Sequence, residues 1–187
     1  PPLRGLVRIP TLREDGSLIT QPGYDRASRL YYDPSVDIGR IEVPAQATRA
    51  DAVAAFDVLS APFADLPFAN EASRANYFAA LLTLFAQPLL GRFGLVPITM
   101  VTSPDPSTGK SWACEAIGLI GEGVRPAKRG TLYDQSEWQK SLTAAARAGS
   151  RFLLFDNHTG HIAGRELDRV TTAGKIAGRV LGESREE

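Results

Sequence analysis

The sequence predicts an α/β fold with a parallel sheet, preceded by a small β-rich segment and two helices. Three observations point there. From residue 96 onward, short apolar runs of strand length alternate with helix-permissive stretches, the rhythm of strand–helix–strand units whose strands pair in parallel. Residues 49–86 carry two alanine- and leucine-rich stretches of helical character. Residues 1–45 are interrupted by turn signals too closely spaced for helices. We therefore divide the 187 residues into 1–45, 46–92 and 93–187. Hydrophobic residues make up 43% and charged residues 22%, proportions that suit a packed domain and exclude a disordered one.

Each element has its own grounds. Leu6-Val7-Arg8-Ile9, Leu18-Ile19 and Arg29-Leu30-Tyr31-Tyr32 read as strands, separated by the turn signals Glu14-Asp15-Gly16-Ser17 and Pro22-Gly23. A helix is expected within 49–65, with Thr48 as N-cap and Val53, Phe56 and Leu59 near one face. A second is expected over 71–86, apolar almost all round and hence buried, ended by Pro88 and Gly91. Val96-Pro97-Ile98-Thr99-Met100-Val101 predicts a strand and Lys110 to Ile120 a helix stopped by Gly121-Glu122-Gly123. Thr131-Leu132-Tyr133 predicts a short strand, and Ser136 to Ala148 a helix capped by Ser136 and ended by Gly149. Phe152-Leu153-Leu154-Phe155 predicts a buried strand, and 165–180 one or two short helices broken near Gly174 and Gly178.

Composition excludes several classes. Lysine plus arginine and aspartate plus glutamate both count 21, and the halves are balanced: 9 basic and 10 acidic groups in 1–93, 12 and 11 in 94–187. The chain as a whole has no electrostatic footprint of nucleic-acid binding, although one loop can still carry such contacts. One cysteine, Cys114, forms no internal disulfide, and two histidines with one cysteine cannot complete a structural zinc site. The apolar runs are far short of a membrane span, and the first residues, Pro1-Pro2-Leu3-Arg4, do not read as a signal peptide. The expectation is a cytoplasmic protein with no membrane partner. Because the chain opens on Pro1, a piece of a longer protein is expected.

The chemistry concentrates in Ser103-Pro104-Asp105-Pro106-Ser107-Thr108-Gly109-Lys110-Ser111. It ends in the Gly-Lys-Ser half of the pattern G-x-x-x-x-G-K-[ST], with Pro104 where the first glycine would stand. An apolar run precedes the loop and a helix follows it, so amide hydrogens and the helix-terminal partial charge converge on one spot that favours an anion. Pro106, Ser107, Thr108, Gly109, Lys110 and Ser111 are the candidate nucleotide-binding residues. Lys110 would reach the β and γ phosphates, and the Ser111 hydroxyl would join a magnesium shell. Gly-Lys-Ser alone is a common tripeptide; its flanks raise its weight. The second half of the site is Arg151-Phe152-Leu153-Leu154-Phe155-Asp156-Asn157, an apolar strand ending in an acid that would hold magnesium through water. Asn157 is neutral and can orient a water without taking its proton. Glu137 is the candidate water-activating group, with a solvated first-turn charge as the competing reading; His158 is a weaker candidate. The basic loop Val124-Arg125-Pro126-Ala127-Lys128-Arg129-Gly130 reads as a nucleic-acid or neighbouring-subunit contact, or as a solvated loop. Arg179 is either a phosphate contact or an ion-pair residue. Together these residues predict a P-loop core that holds a nucleotide's phosphates with Mg2+.

These residues resemble the ATPase region of the primase–helicase proteins of phages, plasmids and other mobile elements, P-loop proteins of the AAA+ type near the superfamily 3 helicases. The resemblance runs through Arg13-Glu14-Asp15-Gly16-Ser17 with Gly23-Tyr24-Asp25, then Leu66-Pro67-Phe68-Ala69, Ser73-Arg74-Ala75-Asn76 and Leu81-Leu82-Thr83. It continues through Ser103 to Ser111, Glu137-Trp138-Gln139-Lys140, Leu153-Leu154-Phe155-Asp156-Asn157 and Arg179-Val180-Leu181-Gly182-Glu183-Ser184. It implies ATP hydrolysis with magnesium, a homo-oligomeric ring and movement on DNA, single-stranded DNA above all, during replication. Lys110 and Ser111 match the family's nucleotide-binding residues and Asp156 its magnesium-side acid. The family's further strand with a polar sensor, and its arginine finger, find no match here, so the core is expected to be truncated at its C-terminus. Two other functions fit the same loop: a small-molecule phosphotransferase, with Arg125 to Arg129 as its lid, and a hydrolysis-deficient nucleotide-binding or assembly module.

Overall fold

The computed structural model describes residues 3–34, 39, 43–44, 46–93, 95–130, 132, 134–158, 162 and 165–173. The fold is mixed α/β, with small sheets and five helices among the described residues.

The first segment is built from five short strands: β1 (Gly5–Val7), β2 (Thr11–Leu12), β3 (Leu18–Ile19), β4 (Gly23–Asp25) and β5 (Leu30–Tyr32). β5 lies between β1, its parallel partner, and β4, its antiparallel one, while β2 and β3 form a separate antiparallel hairpin. Alternation buries Val7, Ile19 and Tyr32 together and leaves Leu6, Tyr24 and Tyr31 outside. So small a core needs polar support, and Asp25 supplies it. Its carboxylate accepts from Arg13 Nη2 at 2.8 Å and Nε at 3.2 Å, and from the Ser28 amide and hydroxyl. Those bonds, Arg13 first, hold the Asp25 carboxyl well below its ordinary 3.8.

Helix α1 (Arg49–Ser60) begins at the expected Thr48, whose hydroxyl accepts from the Asp51 amide while the Asp51 carboxylate accepts from the Thr48 amide. It ends at Ser60, short of 65, where a 3-10 turn over Ala61–Phe63 takes over around Pro62. Helix α2 (Glu71–Ala86) has the expected bounds and an Asn70 cap. Its burial is one-sided: Tyr77, Phe78, Leu81 and Leu84 are buried while Leu82 is 46% exposed, because only one stripe meets a packed neighbour. α2 ends at Ala86, ahead of Pro88 as expected, and the chain continues as a 3-10 helix over Gln87–Phe93. The main core lies where this stripe meets α3 (Lys110–Glu122) through Ala113 and Ile117, with Phe63 and Phe78 packed edge to face.

The last segment layers helices on a two-stranded parallel sheet. β6 (Lys128–Arg129) pairs with β7 (Leu154–Phe155), with α4 (Gln135–Arg147) between them and α5 (Arg165–Ala173) after. The strand period decides which layer each side chain meets. Phe152 packs on the α2–α3 core, whereas Leu153 and Phe155 pack with Trp138, Leu142 and Leu167 of α4 and α5. Gly118 permits this close layering: a Cβ there would lie 2.7 Å from Pro126 Cγ and 2.9 Å from the Phe152 ring.

Several expectations are corrected here. Residues 96–101 have strand composition but join no ladder, with Ile98 54% and Met100 63% exposed; a strand requires a partner for its amides, and β7 pairs on one side only with β6 among the described residues. The strand sought at 131–133 falls at Lys128–Arg129, where the backbone runs alongside β7; Leu132 is not in a strand, and Thr131 and Tyr133 lie outside the described residues. α4 is capped by Asp134 rather than Ser136, since the carboxylate accepts from two first-turn amides, Ser136 and Glu137. α3 runs through Gly121 and Glu122 before closing at Gly123. Strand geometry covers 154–155 rather than 152–155. Arg179, and the region around Gly174 and Gly178, lie outside the described residues.

Two outcomes follow from this packing. Gly118→Ala should destabilise the fold by about 1–3 kcal/mol through overpacking, read as a lower midpoint in denaturant. The carboxyl of Asp25 is depressed, so its contribution is present above its unfolded value near 3.8 and is lost as pH falls through the folded value. Asp25→Asn should therefore cost about 1 kcal/mol at neutral pH, and its Tm deficit should shrink as both proteins are melted at pH values below about 4.

Candidate functional site

Among the described helices of eight residues or more, α1, α2 and α4 have side-chain caps, Thr48, Asn70 and Asp134, whereas α3 begins at Gly109 without one. Gly109 sits at φ +85°, a left-handed conformation that glycine adopts freely, and Ser107 at φ +60° bears a strained turn beside it. The loop is tied internally. Ser103 Oγ donates to the Asp105 carbonyl at 2.8 Å and accepts from Thr108 Oγ1 at 2.9 Å. The Lys110 ammonium donates to the same Asp105 carbonyl at 2.9 Å. Lys110 thus folds back over its own loop rather than entering the apolar core, with its charge at the start of α3. Pro106 and Ser107 are exposed on the loop's outer side.

The pleat of β7 brings Asp156 to this point. Phe152 faces the α3 layer and Phe155 the α4 layer, so Asp156 returns to the α3 side. Ser111 Oγ donates to its carboxylate at 3.1 and 3.2 Å, across 45 residues of sequence. The Asp156 amide is held by the Arg129 carbonyl at 3.0 Å, and the Asn157 amide, at φ +54°, donates to Asp156 Oδ1 at 3.0 Å. Lys110, Ser111 and Asp156 therefore gather at the C-terminal ends of the parallel strands, the end at which open α/β sheets take ligands.

Three residues outside the predicted site, Lys128, Glu115 and Arg125, adjoin it. Lys128 Nζ lies 3.1 Å from Asp156 Oδ2 and 2.7 Å from Glu115 Oε1, and Arg125 Nε lies 3.1 Å from Glu115 Oε2. The Asp156 carboxyl is held below its ordinary range, by Lys128 first and then Ser111, against the desolvation of its partly buried site. Glu115 is lowered chiefly by Lys128, and Lys128 is raised by Glu115 and then Asp156. The available signal was Glu115 itself, four residues after Ser111 and hence on the same face of α3. The basic loop is consequently committed within the chain: Arg125 and Lys128 to carboxylates, and Arg129 Nη1 to Ser141 Oγ at 3.1 Å.

Glu137 stands apart from this cluster. It lies in the first turn of α4, half exposed, with its carboxylate taken by Lys140 at 2.7 Å. His158 has Nε2 buried without a hydrogen-bond partner among the described residues. A groove of about 300 Å³ opens at the other ends of the strands, between β1 and residues 124–127 and 149–153, and none of Lys110, Ser111 or Asp156 lines it.

The donor set suits a small hard cation. A hydroxyl oxygen and a carboxylate 3.1 Å apart are the kind of one or two oxygen ligands a magnesium ion takes from protein while phosphate and water fill the rest. No group of three or more His, Cys, Asp or Glu side chains forms a metal cluster among the described residues, and no described helix is long and apolar enough to cross a membrane. Comparison with protein-family models, with curated proteins and with solved structures finds no match to this chain.

Proposed function

We propose that the chain is the ATP-binding and hydrolysing motor domain of a DNA replication helicase or primase–helicase from a mobile element. Its core is then a P-loop nucleotide-binding unit. The reading is supported above all by one contact: the serine of Gly109-Lys110-Ser111, at the mouth of an uncapped helix, donates to a strand-end aspartate 45 residues away. The α3 amides and the Lys110 ammonium face the phosphates, and the ammonium exchanges the Asp105 carbonyl for a phosphate oxygen. Ser111 and Asp156 hold Mg2+, which when bound neutralises charge on the β and γ phosphates. Asn157 orients water at the mouth. DNA, most favourably single-stranded, and neighbouring copies in a ring are the partners of the full-length protein in the cytoplasm.

A second reading, a nucleotide-binding module that does not hydrolyse, is favoured by the engagement of Glu137 with Lys140 and by the neutral Asn157 beside Asp156. A motor hydrolyses ATP faster when single-stranded DNA is added and elutes as an oligomer on a sizing column; a silent module binds ATP without turnover in either condition. In both, Lys110→Ala should weaken ATP binding about ten- to a hundredfold, the loss of one charge-assisted contact to phosphate. Unchanged affinity in that variant, measured by equilibrium titration, refutes the phosphate site.

A further inference from the structure

We propose that Lys128 is a resident counter-ion of this site: its ammonium, shared between Asp156 and Glu115, gives up Asp156 and stays on Glu115 when the nucleotide's magnesium binds. The inference rests on the nucleotide-binding reading above and adds a regulatory residue to it.

Three observations carry it. Lys128 Nζ already bonds two carboxylates at once, at 2.7 Å and 3.1 Å, so leaving one does not strand the charge. The second seat is prepared: Glu115 is on the face of α3 that carries Ser111, and its other oxygen is held by Arg125 at 3.1 Å. Both Asp156 oxygens are engaged, Oδ1 by the Asn157 amide and Ser111, Oδ2 by Ser111 and Lys128. A cation added at Asp156 therefore competes with the ammonium. The side chain of Lys128 is 44% exposed and already on Glu115, so releasing Asp156 requires no unpacking of the core.

The consequence is coupling. Lys128 opposes a divalent ion arriving alone, and phosphate oxygens tip the competition by adding negative charge on the same spot. Lys128→Met removes the competitor and leaves Asp156 facing Glu115. Glu115→Gln removes the alternative seat and confines the ammonium to Asp156. The two variants thus act in opposite directions on the magnesium midpoint.

The test is a magnesium titration of binding of a fluorescent ADP analogue to the full 187-residue chain and both variants, with Tm recorded for each. Relative to wild type, the magnesium midpoint should fall about three- to fivefold in Lys128→Met and rise about threefold in Glu115→Gln, in line with partly exposed ion pairs. Lys128→Gln gives the same reading if the methionine variant does not fold. Unmoved midpoints, or midpoints that move in the same direction in both variants, overturn the role of Lys128 while leaving the nucleotide site standing. Wild-type chain that binds no analogue with or without magnesium overturns the nucleotide reading and this inference together.

Discussion

Residues 151–156 have to satisfy every layer of the molecule in six positions. Along this run Phe152 goes to the α2–α3 core, Leu153 and Phe155 to α4 and α5, and Asp156 to Ser111. Arg151, at the head of the run, ties the remaining parts. Its guanidinium donates to Thr11 Oγ1 at 3.0 Å in β2 and to the Leu84 carbonyl in α2, and its amide donates to Glu122 at the end of α3 at 2.8 Å. Burial pushes the guanidinium's pKa down and Glu122 opposes that shift. A slip of one residue in this run would turn Phe155 away from Trp138 and Asp156 away from Ser111 in a single step.

The site inherits its electrostatics from the same constraint. β6 pairs with β7 in the register Lys128 to Leu154 and Arg129 to Phe155. Lys128 therefore shares the α3 side with Asp156 and Glu115, whereas Arg129 shares the α4 side with Ser141. Asp156 and Glu115 with Lys128 and Arg125 make a balanced cluster beside α3, and the loop before that helix closes on Lys110 through the Asp105 carbonyl. Each partly exposed pair contributes only modestly to stability. Their weight is in orientation: they hold the strand-end carboxylate against α3.

Local signals were legible wherever the deciding interaction lies within a few residues. Thr48 and Asp51 form their capping box from adjacent turns, and α2 keeps the bounds its composition suggests. Gly109, Lys110 and Ser111 begin a helix because a loop and a glycine precede a helix-permissive run. Signals failed where the decision was made elsewhere. Val96 to Val101 has strand composition, yet no strand lies against it among the described residues. Ser136 is as good a cap as Asp134 by residue type, and the backbone direction at 134 selected the carboxylate. Leu82 looks like core and faces outward because the α3 contact takes the other side of α2.

By itself the sequence determined the mixed α/β class, the helix-starting loop at 103–111 and the acid at the end of an apolar run, since each follows from turn chemistry, capping and side-chain period. Tertiary structure alone decided that Ser111 meets Asp156, that Lys128 lies between Asp156 and Glu115, and that Arg151 joins β2, α2 and α3. Those contacts span 13 to 140 residues of chain or depend on strand register. Register and layer order are set by which apolar faces pack together, a choice that no short window of residues contains.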